Sequence, residues 1–528
     1  MSVRRLLVGV ATTSVVATAL AVTAPTAQAD PPAGYVPSSS DLIGVGSDTS
    51  EFALNYLADG NAGVPGYNAT SPANKLVSWN ALPPAGASAT INLPGNAAAT
   101  RPNGSGQGKA ALYGAGNVPE IDFARSSSAL SATEVSADLY AFPFALDELS
   151  LATAKTSNAP ATLTIADAVK IYNGQVTNWS ELGGAPGVIV PMVPQSGSGT
   201  LSFFEAQLKA ANGGNLTYPP TLVRVQEHDP SQIVGNPNAV APFSIGRNAT
   251  SGGTLRIEAG FKAQRALYNV VRKADLAKPE INAVFGEAGF VCSPNAKPLI
   301  EAAGFAQLAG TAGGGVCGVA TQGATTNFAT ATVAATGTTV AGTSASAGAL
   351  SLTATVAAGT NKPSGFVRFY LDGSASASGT PVALTGGKAT LNLTGLTPGA
   401  HTVVAKFAPT LTSYSASESA PTAVTVSASK AEAVAAKTKL VSTFKKSYKA
   451  GVKVAGKIKV KESADGKAAG KYTIKLGKKV VAKGKVKNGV AKVKDIKGLK
   501  KGKNKLKVSF AGNAAFKAST LKLTITIT

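Results

Sequence analysis

The tightest constraint on the fold is an internal repeat in the last 170 or so residues. Gly395-Leu396, followed by Gly399 and Phe407, recurs as Gly498-Leu499, followed by Gly502 and Phe510, at an offset of 103 residues. Gly365 and Leu371 recur as Gly470 and Leu476 at an offset of 105. Both copies are rich in Thr, Ala, Ser, Gly and Val and run in short apolar-polar alternations, the period-2 pattern of half-buried strands. Two all-β sandwiches are predicted, at 322–429 and 430–528.

Upstream of 322 the pattern is different. Apolar strand-like runs alternate with helical ones: Asp41 to Val45 before a helix from Ser50, Ile121 to Phe123 before one from Ala132, and Val188 to Val193 before one from Leu201. Three helix starts have capping-box spacing, in which two side chains satisfy the first turn's orphan amides: Asp48 with Glu51, Ser131 with Glu134, and Thr164 with Asp167. Alternating strand and helix predict an α/β domain over 30–321, long enough for two lobes.

Residues 1–29 read as a secretory signal peptide. Arg4 and Arg5 precede an apolar stretch from Leu6 to Val22, and Ala27-Gln28-Ala29 offers small residues for cleavage before Asp30. No cysteine lies near that site, so no lipid anchor is expected, and no later run is long enough for a transmembrane helix. The two cysteines, Cys292 and Cys317, suit an exported chain in which a disulfide persists. Closing that loop would contribute roughly 3 to 4 kcal/mol through unfolded-state entropy.

The net charge of +23 is not spread evenly. From Lys430 onward there are 28 Lys, no Arg and 4 acids; the preceding 429 residues sum to −1. In Val452 to Lys461 and Asn504 to Val508, Lys alternates with apolar residues, which puts the charge on one strand face. Such a face suits an anionic cell-wall polymer, nucleic acid held non-specifically by charge, or a solvated surface whose Lys guard the sheet edges. With no Arg and few aromatics, specific nucleic-acid reading is not expected.

Enzyme templates do not fit. There are two histidines, His228 and His401, no zinc-ligand spacing, no nucleophile elbow and no phosphate-cradling Lys loop, so neither catalysis nor a metal or cofactor is expected. The α/β region instead has four small-residue loops: Gly46-Ser47-Asp48-Thr49, Gly104-Ser105-Gly106, Arg125-Ser126-Ser127-Ser128, and Ser196-Gly197-Ser198-Gly199-Thr200. Hydroxyl donors beside a helix N-terminus suit an oxyanion. Among these loops only Arg125 brings a cation. Glu227-His228-Asp229, before Pro230, reads as a surface turn or as polar groups of a hinge or cleft, Ala239 to Gly246 as the crossing back between lobes, and Trp79 and Trp179 as packing anchors.

These loops carry a family resemblance. Gly44 to Thr49, Ile121 to Ser126, and Ile171 to Gly184 followed by Gly197 to Thr200 resemble the phosphate-binding proteins of Pst-type ABC importers. The resemblance implies a type II periplasmic-binding fold closing on phosphate or a related oxyanion, with an ABC permease as partner. It places ligand donors at Ser47 to Thr49, Ser105, Ser198, Gly199 and Thr200, with Ser126 and Ser127 beside them. Two positions depart from the family pattern. Pro194 stands where the family has an arginine, and Ser127 where it has the aspartate that accepts the phosphate proton. Arg125 and Asp48 are the expected substitutes. The β repeats resemble bacterial immunoglobulin-like domains. The function expected is a secreted oxyanion-binding protein with β modules for display; the alternative is an adhesive surface protein whose binding domain no longer holds phosphate.

Overall fold

A computed structural model describes residues 30–32, 34–429, 434–462 and 468–528. The stretch read as a signal peptide lies outside the described residues. Among the described residues no helix is long and apolar enough to cross a membrane. The chain divides into two compact units, one holding the α/β domain and the first β module, the other built mainly from Ser427–Thr528.

The α/β domain is organised on one ten-stranded mixed sheet. Its main strands are β1 (Leu42–Gly46), β2 (Leu76–Ser78), β3 (Phe123–Ser126), β4 (Leu139–Ala154), β5 (Val190–Pro194), β6 (Val223–Val225), β7 (Ala239–Ser244) and β8 (Leu255–Arg272), in the order β2-β1-β3-β8-β4-β7-β5-β6. Two of these make the domain bilobed. β4 and β8, of 16 and 18 residues, run antiparallel through both lobes. They are the crossings; β7, expected to be one, stays in the second lobe between β4 and β5. The first lobe packs Leu54, Phe123, Phe142 and Phe285 into its core, and the second packs Tyr172, Trp179 and Phe204. Strands such as β1, buried at every residue, are apolar throughout because both faces are covered.

The helices that matter here are α1 (Glu51–Asp59), α2 (Ser105–Ala110), α3 (Ala132–Ser136), α4 (Ile165–Tyr172), α5 (Gly199–Asn212) and α6 (Ile245–Thr250). The capping boxes at Ser131 and Thr164 form as their spacing predicts. The one at Asp48 does not: Ser50 is the N-cap, with no side-chain cap, and the Asp48 and Glu51 carboxylates bond elsewhere. Cys292 and Cys317 form a disulfide beside the first-lobe core.

Past residue 321 the chain does not leave the α/β domain at once. Ala309 and Ala331 exchange backbone bonds with Ala329 and Gln307, the Gln322 amide donates to the carbonyls of Val135 and Leu139, and Phe328 packs on the first-lobe core. The first module then begins with β9 (Gly337–Thr343), β10 (Leu350–Ala357), β11 (Gly365–Leu371), β12 (Lys388–Leu393) and β13 (Gly399–Pro409). A three-stranded sheet, β9-β10-β12, and a five-stranded one containing β11 and β13 enclose Leu352, Phe369 and Phe407. The second module repeats this plan with β14 (Thr438–Ser442), β15 (Gly456–Glu462) and β18 (Val490–Val493) in one sheet; β16 (Gly470–Leu476), β17 (Lys479–Val486), β19 (Gly502–Phe510) and β20 (Ser519–Ile527) belong to the other. The repeated Gly and Phe are one device. A Cβ on Gly365 would lie 2.6 Å from the Phe407 ring, and one on Gly470 2.7 Å from the Phe510 ring. Glycine leaves room for an aromatic from the neighbouring strand.

Candidate functional site

The site is assembled where the loop after β1, the start of α2, the end of β3 and the start of α5 meet between the lobes. Ser198 caps α5 by accepting from the Leu201 amide at 3.0 Å, so the helix opens on Gly199 and Thr200 with its positive end toward the cluster. A Cβ at Gly199 would lie 2.3 Å from both the Ser105 and Ser127 hydroxyls, so only glycine lets the helix come this close. Ser105 Oγ is 3.3 Å from Ser127 Oγ and accepts from the Ser127 amide at 3.0 Å. Thr49 Oγ1 stands 3.4 Å from Thr200 Oγ1, and the Gly106 amide donates to Gly197 O at 2.9 Å. Thr49, Ser105, Ser127, Gly199 and Thr200 therefore converge.

Other expected members make their hydrogen bonds outside this cluster or make none. Arg125 is fully buried, but its guanidinium turns back on its own neighbourhood, donating to Ser47 O, Gly46 O and Ser78 Oγ. Burial lowers its pKa to about 10, opposed by Glu51 and Asp48. Ser126 Oγ donates to Ser128 O within its own loop, and Ser47 Oγ is buried without a hydrogen-bond partner. Asp48 Oδ1 meets His228 Nδ1 at 3.0 Å, with Arg247 Nη2 at 3.7 Å. Burial raises the Asp48 carboxyl to about 6, against the pull of Arg247 and Arg125. Burial holds His228 down to about 3, so it is neutral; Nδ1–H donates to Asp48 while Nε2 accepts from the Ser244 amide at 3.3 Å.

The cation that reaches the hydroxyls is Arg265, from the middle of β8. Its Nη2 donates to Thr200 Oγ1 at 2.9 Å and its Nη1 to Ser127 O at 3.3 Å. Nε and Nη2 grip Asp147 Oδ2 of β4 at 2.9 and 2.8 Å. Asp147 Oδ1 accepts in turn from Ser244 Oγ at 2.6 Å. The second contributor is Glu227, in the cleft role that the sequence left open beside a surface turn. Glu227 is 1% exposed, and His228 is 8% exposed. The turn is buried because the Gln195 side chain accepts from the Glu227 amide and the His228 ring packs edge-on to Phe243. Glu227 Oε1 accepts from the Thr200 amide at 3.1 Å and from Thr49 Oγ1 at 3.0 Å. Glu227 Oε2 is buried with no hydrogen-bond partner.

A two-lobed α/β domain with its polar cluster between the lobes is the architecture of a binding protein, and a family model described as "PBP superfamily domain" matches residues 68–383, more than half of the chain. The chain belongs to the PBP superfamily. The match runs beyond the α/β domain into the first β module, as far as its five-stranded sheet. No curated protein matches this PBP-superfamily chain. Solved structures similar to it include an ABC-type phosphate transport receptor from Vibrio cholerae, at 20% identity, covering 50% of this chain and 98% of that one with a TM-score of 0.35. PstS from Borrelia burgdorferi is 18% identical over 51% of this chain and 98% of its own, with a TM-score of 0.32. The fibronectin(III)-like modules of CbhA from Clostridium thermocellum are 19% identical over 36% of this chain and 93% of theirs, at 0.14. At such scores these likenesses carry no argument about the ligand.

Proposed function

We propose that the α/β domain captures a small oxyanion, phosphate foremost, in a secreted, non-enzymatic solute-binding protein whose β modules serve display or wall attachment. One observation carries this reading: the cluster's donors already converge on a carboxyl oxygen. Glu227 Oε1 accepts from the first turn of α5 and from the Thr49 hydroxyl, beside the buried Arg265. The same donors suit the oxygens of a tetrahedral anion. Glu227 also supplies the reason for phosphate. A carboxylate oxygen only accepts, so a ligand meeting Glu227 Oε2 must bring a proton, which phosphate and arsenate have at neutral pH and sulfate lacks. Glu227 takes the part first expected of Asp48, and Arg265 that expected of Arg125.

The same contact favours the alternative, an adhesive surface protein that no longer binds phosphate, since Glu227 sits where a ligand oxygen would. Calorimetry separates the two. The receptor reading expects heat of binding for phosphate and arsenate and weaker binding for sulfate. Glu227→Gln should narrow the phosphate-over-sulfate preference by about ten- to a hundredfold, the worth of one hydrogen bond to a charged group. Wild-type protein that binds no oxyanion at millimolar concentration leaves only the adhesive reading.

A further inference from the structure

We infer that the outer face of the five-stranded sheet in the last module is a docking surface for a linear polyol-phosphate polymer, a flexible phosphodiester chain without bases. This deepens the wall-attachment part of the proposed function and does not depend on the oxyanion site. The face is defined by register. Lys475 of β16 lies directly opposite Lys507 of β19, which lies directly opposite Lys522 of β20, three lysines abreast on adjacent strands. All three are exposed. Lys471 of β16 opposes Lys485 of β17 on the same face. None of the four strands contains an acid, and among the described residues none of the three abreast is in an ion pair.

Like charges directly opposite one another destabilise a sheet, so this row is not what the fold alone would select. The first module shows as much. By the repeat offsets, its counterparts of Lys475 and Lys507 are Tyr370 and Val404, which oppose each other in the same way. Where that sheet does carry charge, the row is neutralised: Arg368 opposes Lys406, Lys406 opposes Glu418, and Lys406 pairs with Glu418 at 3.0 Å. The same architecture thus closes without a lysine row.

The row also borders a concavity of about 470 Å³, lined by Lys475, Lys505, Lys507, Lys522 and Thr524 among others. Lysines recur about every 5 Å across the strands and about every 7 Å along them. A flexible chain with one charge per short repeat meets a lysine at each phosphate, with threonine hydroxyls between as further donors. Nucleic acid fits less well. The face has no arginine for bidentate base contacts, and Tyr472 and Phe510 point into the core rather than outward as stacking platforms.

The test uses the full chain and synthetic poly(glycerol phosphate) as probe, at 0.15 M salt. Wild type should bind, and the triple variant Lys475→Gln/Lys507→Gln/Lys522→Gln should bind about tenfold more weakly or worse, as expected for three exposed ion pairs. Lys439→Gln/Lys459→Gln/Lys461→Gln removes the same charge from the module's other sheet and should cost less than threefold. Equal losses in the two variants would show that net charge alone matters and overturn the proposal. So would DNA or polyglutamate binding as tightly as poly(glycerol phosphate). Phosphate titrated into the same samples keeps the two readings apart: polymer binding without phosphate binding sinks only the oxyanion site, and the reverse sinks only this surface.

Discussion

The α/β domain and the last module handle charge in opposite ways. In the α/β domain Arg265 and Asp147 are almost fully buried, at 3% and 0% side-chain exposure; the pair meets at 2.8 Å, Arg265 reaches Thr200 Oγ1 at 2.9 Å, and Asp147 accepts from Ser244 Oγ at 2.6 Å. In the last module the lysines stand on exposed strand positions without acids opposite them. A dry charge acts through geometry, because desolvation makes any unpaired state costly. A wet charge acts through its sum and is screened by salt. The contrast predicts that single substitutions matter greatly in the first region and little in the second.

The largest effect is expected at Arg265. Arg265→Met leaves Asp147 buried with Ser244 Oγ as its remaining side-chain partner, and breaking a buried pair from one side costs about 3–5 kcal/mol. Urea unfolding followed by tryptophan fluorescence measures it, since Trp79 and Trp179 both belong to the α/β domain. Adding Asp147→Leu should recover much of the loss. A single-variant cost under about 1 kcal/mol would break the contrast between dry and wet charge.

How much of this was legible in the sequence follows from distance along the chain. Local signals held. The Ser131 and Thr164 boxes formed, the Ser198 to Thr200 loop opened a helix, and the Gly–Phe repeat marked two copies of one β plan. The site's cation was misassigned because Arg125 sits beside serines in sequence, whereas Arg265 lies 65 residues past Thr200 and 118 past Asp147, inside a strand whose alternation looks purely structural. Its one sequence signal is a charge placed directly before the mostly apolar run Ala266 to Val271. Glu227 could be read as a cleft group or a surface turn, because a Pro-terminated turn usually lies at the surface and only packing within the α/β domain buries this one.

A middle-sized effect tests the dry side through pH. Burial, reinforced by Asp48, pushes Glu51 up to about 8, with Arg247, Arg125 and the Ala81 amide opposing. In the unfolded chain its carboxyl titrates near its ordinary value of about 4.3. The folded state therefore keeps a proton that the unfolded state has released, and stability falls as pH climbs through about 8. His228 works the other way, its contribution present above about 6.5 and lost as pH falls toward 3. Asp48 and Asp122, both near 6, also change mostly below pH 6.5. From pH 6.5 to 8 the α/β domain should lose about 1.5 kcal/mol of stability, and Glu51→Gln should flatten that slope. An unchanged slope would assign the titration to another group.

The smallest effect belongs to the wet side, and its sign is the informative part. Lys507 lies between Lys475 and Lys522, and directly opposed like charges cost roughly 0.2–1 kcal/mol. Replacing it with threonine, a residue that the neighbouring strand already carries on the same face, should stabilise the last module by a few tenths of a kcal/mol. Raising salt should do the same to the wild type without any substitution, because the Debye length shrinks from about 30 Å at 0.01 M to about 8 Å at 0.15 M. The Arg265–Asp147 pair is shielded from solvent and should respond far less. Calorimetry of the full chain, with the tryptophan signal marking the α/β transition, follows both regions in one experiment. A module transition that rises with salt and rises again in Lys507→Thr means the fold tolerates the lysine row at a cost, which leaves an anionic partner as the reason for it. A transition that falls in either case would mean that the lysines stabilise the sheet and need no anionic partner to account for them.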